Sequence, residues 1–285
     1  MALQSIGKLL AMPVTAGIRG TPQSNREISM TQTAFITGAA SGIGKATAEA
    51  LYHRGWSLAL ADINLVALQQ QTEDWDQQRV CCYALDVTNI DQCQQSVNEF
   101  VQQHGQQLNL LLNSAGILQI DRFEEISNQR HQQIININVT GVINCCQAAF
   151  PYLKHTENAV VINMSSASAT YGVPMLASYS ASKFAVRGLT EGLRIEWEEH
   201  GIKVCDVMPP FVNTHMLQSQ QSSAPVLEKL GVHIGANDVV SEILKQIEQP
   251  KTHRAVSLQF KVAYFFSELL PTRITGGIMR LLHRG

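Results

Sequence analysis

The chain has few of the residues that mark metal, disulfide or nucleic-acid-binding proteins. Its six cysteines include no C-x-x-C pair and no zinc spacing, and its nine histidines include no H-E-x-x-H motif. The cysteines that are adjacent in sequence lie inside apolar runs, which favours buried reduced thiols over disulfides. The formal net charge of −2 gives no electrostatic reason to bind nucleic acid. We therefore expect no metal, no nucleic-acid partner and a cytoplasmic location.

The first 29 residues contain a single acid and no long apolar segment. Their mild apolar run at residues 9–18 is broken by Pro13 and Gly17 and is too short to span a bilayer. One interpretation is a secretory signal, but the positive region is thin and no convincing A-x-A cleavage site follows. We favour the other interpretation, a start assigned too far upstream or a disordered extension over residues 1–29. Met30 directly precedes the first strand-like run.

The remaining sequence alternates between apolar runs and helical patterns. With 285 residues, 45% of them hydrophobic, one large domain is favoured over two small ones. Strand-like runs occupy residues 33–37, 57–61, 80–85, 108–112, 160–164, 202–208 and 255–258, and helical patterns occupy about residues 45–54, 88–103, 129–153, 179–200 and 238–249. This alternation predicts an α/β fold: a single Rossmann-type, doubly wound domain with about seven parallel strands and helices on both faces.

Tyr179 and Lys183 are four residues apart at the start of a predicted helix, which places them on one helical face. An ammonium beside a phenol favours the phenolate, so we expect Lys183 to lower the pKa of Tyr179. Ser166 follows a predicted strand and could donate a hydrogen bond to an oxygen that Tyr179 protonates or deprotonates. These residues form a candidate site for alcohol and carbonyl chemistry. An exposed lysine one turn after a half-buried tyrosine would give the same spacing, so the pair alone is not specific.

Three glycines, Gly38, Gly42 and Gly44, follow the first predicted strand and open the first predicted helix. Glycines permit a tight turn and let backbone N–H groups approach a pyrophosphate, which a helix N-terminus also favours. Their G-x-x-x-G-x-G spacing differs from the G-x-G-x-x-G fingerprint, so a glycine-rich turn without a ligand remains an alternative.

Asp62 ends the second predicted strand, eighteen residues after Gly44. A carboxylate at this point can accept hydrogen bonds from ribose hydroxyls and would repel a 2′-phosphate. Position 41 in the glycine loop is serine, so the loop offers no base to such a phosphate there; Lys45 follows but could be a solvated helix residue. We therefore favour NAD over NADP.

The combined motifs resemble the short-chain dehydrogenase/reductase family. The matching segments occur in the family's order between about residues 31 and 216: TGAASGIG at Thr37–Gly44, Asp62, Asp86-Val87, NSAG at Asn113–Gly116, Asn138, Ser166 and YSASK at Tyr179–Lys183. The chain departs from the family where Pro209-Pro210 replaces the common Pro-Gly, which stiffens that loop and removes a backbone N–H. NSAG in place of NNAG is a milder change.

The resemblance implies a role for each residue of the catalytic set. Tyr179 would be the general acid/base, and Lys183 would lower its pKa and bind the nicotinamide ribose. Ser166 would polarise the carbonyl, and Asn138 would hold a water that continues a proton relay from Lys183. A buried structural amide is the alternative for Asn138, and a turn residue before Thr88 is the alternative for Asp86.

The resemblance also implies a cofactor site built from the glycine loop, the adenine-flanking residues, the cofactor floor and the loop after the sixth strand. Its residues are Gly38, Ser41, Gly42, Ile43, Gly44, Asp62, Asp86, Val87, Asn113, Ala115, Gly116, Tyr179, Lys183, Pro209, Val212 and Thr214.

The substrate is harder to predict. Residues 211–236 would form a lid within a catalytic domain of residues 30–259. Apolar side chains around the reacting carbon could come from Phe211, Met216, Leu217, Tyr171, Val173 and Met175, although ordinary packing would use the same residues. The apolar and basic tail, residues 260–285, could rest on a membrane, cover the substrate entrance or pack against another subunit. A hydrophobic alcohol or ketone (steroid, retinoid, fatty or aromatic) is the leading hypothesis.

Three functions remain open at this point. The first is an NAD-dependent alcohol dehydrogenase or ketone reductase. The second is an NADPH-dependent 3-oxoacyl-thioester reductase, against which Asp62 argues. The third is a non-catalytic dinucleotide-binding protein on the same fold, against which the intact Ser–Tyr–Lys set argues. The resemblance further implies a homodimer or homotetramer paired through the two long helices around Asn138 and Tyr179.

Overall fold

The computed structural model describes residues 31–267 and 270–283, so the extension predicted for residues 1–29 lies outside the described residues. The strands are Thr33–Thr37 (β1), Ser57–Asp62 (β2), Val80–Ala84 (β3), Leu110–Asn113 (β4), Val160–Met164 (β5), Lys203–Met208 (β6), Val212–Asn213 (β7), Ile234–Gly235 (β8) and His253–Ala255 (β9). The helices are Gly42–His53 (α1), Leu65–Gln71 (α2), Ile90–Gln103 (α3), Asn128–Ile135 (α4), Gly141–Leu153 (α5), Ala177–Glu196 (α6), His215–Gln218 (α7), Pro225–Leu230 (α8), Ala236–Glu248 (α9), Leu258–Ser267 (α10) and Thr272–His283 (α11).

Seven strands form one parallel sheet in the order β3-β2-β1-β4-β5-β6-β9, which confirms the predicted fold class. Strand order reverses at β1, which pairs with β2 on one side and with β4 on the other. Ligands of open α/β sheets bind at such a switch point, beyond the carboxyl ends of the strands. The topology therefore predicts that a ligand binds among the loops that follow β1, β2, β4, β5 and β6.

The central strands are buried on both faces, which explains their continuous apolar sequences. Successive β1 residues point to opposite sides of the sheet: Ile36 packs with Leu51 of α1 and Ile243 of α9, while Phe35 packs with Phe100 of α3. All five side chains are fully buried. These two apolar layers hold the sheet between its helices and fix the positions of the strand ends.

Two predicted elements differ from the structure. The helical pattern at residues 129–153 is interrupted by a π-helical turn at Asn136–Thr140, where the Asn138 side chain bonds to the backbone of Ile117. The strand predicted at residues 255–258 ends at Ala255, because Ser257 has a φ of 72° and its hydroxyl accepts a hydrogen bond from the Phe260 amide as α10 begins.

The predicted lid and tail contain regular structure. Strands β7 and β8 pair with each other, and the short helices α7 and α8 lie between them. The tail forms α10 and α11, and α11 packs against α8. Among the helices of the described residues, none combines the length and the apolar character that crossing a bilayer requires.

Candidate active site

A cavity of about 330 Å³ lies along the carboxyl ends of the sheet strands. Fifteen of the predicted site residues line it: Gly38, Ser41, Gly42, Ile43, Asp62, Asp86, Val87, Ala115, Gly116, Ser166, Tyr179, Lys183, Pro209, Val212 and Thr214. Gly44, Asn113 and Asn138 do not line it but lie behind its wall. The fold thus brings residues that are far apart in sequence around one crevice.

The glycine loop is packed too closely to accept side chains. Gly38 has a φ of 66°, and a Cβ there would lie 2.8 Å from the backbone of Ala115. A Cβ on Gly44 would collide with the carbonyl oxygen of Gly38. The loop leads directly into α1, whose N-cap, Ser41, makes no side-chain capping hydrogen bond. The first amides of α1 are therefore left for a ligand, as an anion-binding helix N-terminus requires.

The Asp62 carboxylate is held at the end of β2 by two backbone amides. One oxygen accepts from Ala40 N at 3.1 Å, and the other accepts from Asn64 N at 3.0 Å. These bonds fix an anionic group beside the glycine loop. Among the described residues that line the cavity, Lys183 is the only lysine or arginine. It belongs to the predicted catalytic set with Ser166 and Tyr179, so none of the described residues lines the Asp62 end with a cationic side chain.

Ser166 and Tyr179 line the same cavity. Ser166 leaves β5 in an extended conformation, and its Oγ accepts from Ser168 N at 3.1 Å. Tyr179 lies in the first turn of α6, where the neighbouring Ser166 hydroxyl acts to lower the pKa of its phenol. The two hydroxyls can therefore address the same substrate oxygen.

Lys183 is one turn further along α6 and is buried. Its Nζ donates to the carbonyl oxygen of Met164 at 2.7 Å and lies 5.5 Å from the centroid of the Tyr179 ring. The sequence spacing therefore correctly placed the amine and the phenol on the same side of the helix.

The pKa values differ from the sequence-based expectation. Burial raises the pKa of Tyr179 to about 12, and the neighbouring Ser166 hydroxyl only partly opposes this shift. Burial also lowers the pKa of Lys183 to about 8. The phenol pKa is raised rather than lowered as expected, because burial disfavours the charged forms of both groups and only Ser166 opposes this effect at Tyr179.

Asn138 is fully buried and its amide is committed to protein groups. Its Oδ1 accepts from Ile117 N at 2.8 Å, and its Nδ2 donates to Ile117 O at 3.0 Å and to Ser182 Oγ at 3.1 Å. The side chain thus joins the segment after β4 to α6, next to Lys183. Water binding by Asn138 remains a prediction, while the bonds in place position the loop.

Asn113 lies in the sheet beneath the cavity. Its Nδ2 donates to Asn163 Oδ1 at 2.8 Å, and Asn163 in turn donates to Thr190 Oγ1 at 2.9 Å. This buried chain connects β4, β5 and α6, so Asn113 supports the predicted cofactor floor from below. Asp86 lines the cavity. One of its carboxylate oxygens also accepts hydrogen bonds from the amide and the hydroxyl of Thr88, at 2.9 and 2.8 Å. Asp86 therefore also has the structural role in the turn that the sequence suggested as an alternative.

The loop after β6 closes the cavity on the side of α6. The carbonyl oxygen of Pro209 accepts from Ala167 N at 2.9 Å, which ties this loop to the segment that carries Ser166. The methyl group of Thr214 lies 3.6 Å from the position of a Cβ on Gly42. The Pro209-Pro210 variation therefore still brings Thr214 over the glycine loop.

Sequence reasoning missed Thr37 as a site residue, although it lies within the quoted TGAASGIG segment. The Thr37 hydroxyl accepts from Ser114 N and Ala115 N, both at 3.1 Å, and so holds the loop after β4 against the loop after β1. It also missed Ile63, which is 80% exposed beside Asp62 and lines the cavity. Nothing in the periodicity distinguishes Ile63 from an ordinary surface residue.

The chain is similar in sequence to known dehydrogenases and reductases. The short chain dehydrogenase family model matches residues 32–225. The 3-ketodihydrosphingosine reductase of Bacteroides thetaiotaomicron is 34% identical over 197 residues, which cover 67% of this chain and 68% of the relative. The 3-oxoacyl-[acyl-carrier-protein] reductase FabG of Thermotoga maritima is 35% identical over 193 residues, which cover 67% and 78%.

Solved structures share the fold. A short-chain dehydrogenase/reductase from Burkholderia phymatum in complex with NAD aligns with a TM-score of 0.74 and 25% identity, covering 82% of this chain and 92% of that one. A short-chain dehydrogenase from Burkholderia cenocepacia in complex with NADP aligns with a TM-score of 0.70 and 25% identity, covering 82% and 91%. This chain therefore belongs to the short-chain dehydrogenase/reductase family and is an oxidoreductase that acts on CH–OH and C=O groups with a nicotinamide dinucleotide.

Proposed function

We propose that this protein transfers a hydride between NAD(H) and a hydrophobic secondary alcohol or ketone. The observation that carries the proposal is that Ser166, Tyr179 and Lys183 line the same cavity as Asp62 and the glycine loop. The glycine loop fits a dinucleotide, because Gly38 and Gly44 allow the tight turn into α1, whose N-cap makes no side-chain capping bond and leaves the first amides for a pyrophosphate.

In the reduction of a ketone, each residue of the site has a distinct role. The nicotinamide, when bound, supplies the hydride that goes to the carbonyl carbon. Ser166 donates a hydrogen bond that polarises the carbonyl, and Tyr179 donates its proton to the oxygen as the alcohol forms. Its raised pKa keeps Tyr179 protonated at neutral pH and so ready to act as the acid. Lys183 holds the ribose side of the site and lies one turn from the phenol that must be reprotonated.

The preference for NAD follows from Asp62. Two amides fix its carboxylate, which can accept bonds from ribose hydroxyls, and a 2′-phosphate would meet an anion there. Ser41 is uncharged, so it cannot form an ion pair with that phosphate. We propose NAD as the working cofactor and NADP as a poorer one.

The substrate half of the cavity is apolar. Leu118, Leu176, Phe211, Met216 and Leu217 line it near Tyr179, so a hydrophobic body would be desolvated there. A panel of alcohols and ketones assayed with NAD(H) and NADP(H) tests the proposal. Turnover of hydrophobic ketones with NADH supports it, and cofactor binding without turnover of any panel member would favour the non-catalytic alternative.

The 3-oxoacyl-thioester reductase is the second candidate function, because a FabG protein is among the relatives at 35% identity. Asp62 argues against its usual NADPH. The ratio of kcat/KM for NADPH and NADH with an acetoacetyl thioester distinguishes the two, since a strong NADPH preference would favour the reductase.

We further propose a homodimer or homotetramer formed through α5 and α6. Ile143 of α5 and Phe184 and Ile195 of α6 expose apolar side chains that such pairing would cover. Sedimentation velocity tests this, and a monomer at micromolar concentration would contradict it.

For the tail we propose a peripheral contact with an anionic lipid surface, because Val262 and Phe265 of α10 and Ile274 of α11 are exposed, and the neighbour of Ile274 in sequence, Arg273, is an exposed base. Binding to vesicles containing phosphatidylserine but not to purely zwitterionic vesicles is the expected result. Equal failure to bind both would contradict it.

A cytoplasmic location is proposed as well, since all six cysteines are free thiols, which suits a reducing compartment.

A further inference from the structure

A second cavity, of about 420 Å³, lies beside the first one and shares three lining residues with it: Ser166, Pro210 and Phe211. We call it the apolar chamber. Its walls come from the segment after β5, from α8 of the lid and from the tail helices α10 and α11. The chamber therefore begins at the catalytic serine and extends away from the glycine loop.

The chamber is lined mainly by aliphatic and aromatic side chains. The larger apolar side chains are those of Val173, Phe211, Val226, Leu230, Ile234, Phe260, Phe266, Leu270, Ile278, Met279 and Leu282. Among the described residues that line it, none is an aspartate, glutamate, lysine or arginine. Such a surface would desolvate a charged ligand without pairing its charge, so it suits an uncharged apolar group.

The tail is fixed in place as a wall of the chamber. Leu282 of α11 packs against the apolar cluster that contains Val226 and Leu227 of the lid. Nζ of Lys229 in α8 donates to the carbonyl oxygen of Leu281 at 2.9 Å. At Gly276 the α11 backbone passes so close to Tyr171 that a Cβ would lie 3.1 Å from the phenol oxygen. Several independent contacts thus hold α11 against the lid and the segment after β5.

We propose that the apolar chamber binds the alkyl chain of a long-chain ketone or alcohol whose oxygen lies at Ser166 and Tyr179. This inference rests on the proposed function and narrows its substrate class. A flexible chain is favoured over a rigid ring system, because it can bend where the two cavities meet at Ser166, Pro210 and Phe211 and then follow the apolar lining of the chamber.

The proposal gives a graded expectation for a series of methyl ketones from 2-butanone to 2-undecanone. Each methylene that enters the chamber should raise kcat/KM by roughly fourfold, the factor that corresponds to burying one CH₂ group. The rise should level off when the chamber is full. A site open to water beyond Phe211 would instead give little dependence on chain length.

The decisive variant is Met279→Trp, which fills the chamber from α11. It should flatten the dependence of kcat/KM on chain length, so that 2-undecanone loses tenfold or more relative to wild type. The matched control is Leu281→Trp on the same helix, because Leu281 is 72% exposed and does not line the chamber. The control should follow the wild-type series. Should Met279→Trp fail to fold, Ala263→Phe fills the chamber from α10 instead.

A binding measurement separates this inference from the proposed function. Calorimetry with 2-undecanone on the Tyr179→Phe variant, with and without Met279→Trp, requires no turnover. Binding that Met279→Trp abolishes, combined with no ketone turnover by wild type, would sustain the chamber and remove the redox proposal. Turnover that is independent of chain length, or an unchanged length dependence in Met279→Trp, would overturn the chamber proposal while the redox function stands.

Discussion

The side chain of Asn138 bonds to both backbone groups of Ile117, accepting from the amide at 2.8 Å and donating to the carbonyl at 3.0 Å. Twenty-one residues separate the two in sequence. The bonds fix the segment after β4 against the π-helical turn, and the third bond, to Ser182, extends the connection to the helix that carries Tyr179 and Lys183. The position of the predicted cofactor floor relative to α6 therefore depends on one buried amide.

Replacing Asn138 by alanine should lower the free energy of unfolding by about 1–3 kcal/mol, because the buried backbone groups of Ile117 lose their partner. The cofactor affinity should fall as well, since the floor is no longer held. Urea unfolding and cofactor titration measure these effects. Asn136→Ala in the same turn is the control, because that residue is exposed and should change both by little. An Asn138 variant as stable as wild type would contradict the positioning role.

Replacing Gly38 by alanine should abolish tight cofactor binding. The backbone there has a φ of 66°, and the added Cβ would meet the Ala115 backbone at 2.8 Å, so the loop must shift. Gly277→Ala in α11 is the control, since a Cβ there meets nothing within 4 Å and should stabilise the helix by about 0.5–1 kcal/mol. Fluorescence titration with NADH gives the comparison, and wild-type affinity in Gly38→Ala would exclude the glycine loop as the pyrophosphate site.

Replacing Asp62 by asparagine should shift the cofactor preference towards NADPH. The loss of charge weakens hydrogen bonds to the ribose hydroxyls and removes the repulsion of a 2′-phosphate, so kcat/KM for NADH should fall by about 10- to 100-fold. Asp91→Asn on the exposed start of α3 is the control. Ratios of kcat/KM for the two cofactors decide the matter, and an unchanged ratio in Asp62→Asn would mean that this carboxylate does not select the cofactor.

The buried amine of Lys183 should make stability depend on pH in a definite direction. Its folded-state pKa of about 8 lies below the usual 10.5, so the unfolded chain binds more protons between these values. The contribution of Lys183 to the free energy of unfolding should therefore rise from about pH 8 to pH 10.5, whereas the raised pKa of Tyr179 acts oppositely above pH 10. Chemical unfolding of wild type and Lys183→Met over this range isolates the effect. The free energy of unfolding of wild type minus that of Lys183→Met should rise over this range, and a fall with increasing pH would contradict the account.

The sequence was sufficient to predict the architecture and most of the crevice. Buried parallel strands require continuous apolar runs, so β1, β4 and β5 can be recognised in the sequence. Residues that bind a ligand are then expected directly after these strands, at their carboxyl ends. The four-residue spacing of Tyr179 and Lys183 places both on one face of a helix regardless of tertiary context.

The features that the sequence did not predict depend on contacts between distant segments. The π-helical turn is stabilised by the bonds from Asn138 to Ile117, and the end of β9 depends on the left-handed backbone at Ser257. The raised pKa of Tyr179 is a consequence of burial, which the local Tyr–Lys spacing cannot indicate. The apolar chamber requires α11 to pack on α8, and no local pattern in the tail specifies that partner.

Hydride transfer by the Tyr179→Phe variant tests the central claim most directly. Removing the phenolic hydroxyl should lower the single-turnover rate by about 100- to 10,000-fold, the usual contribution of a general acid, while the NADH affinity stays within about twofold of wild type. Tyr152→Phe, which removes a surface hydroxyl bonded to Asn98, should react at the wild-type rate. A Tyr179→Phe protein that keeps most of its single-turnover rate would contradict proton transfer by this residue.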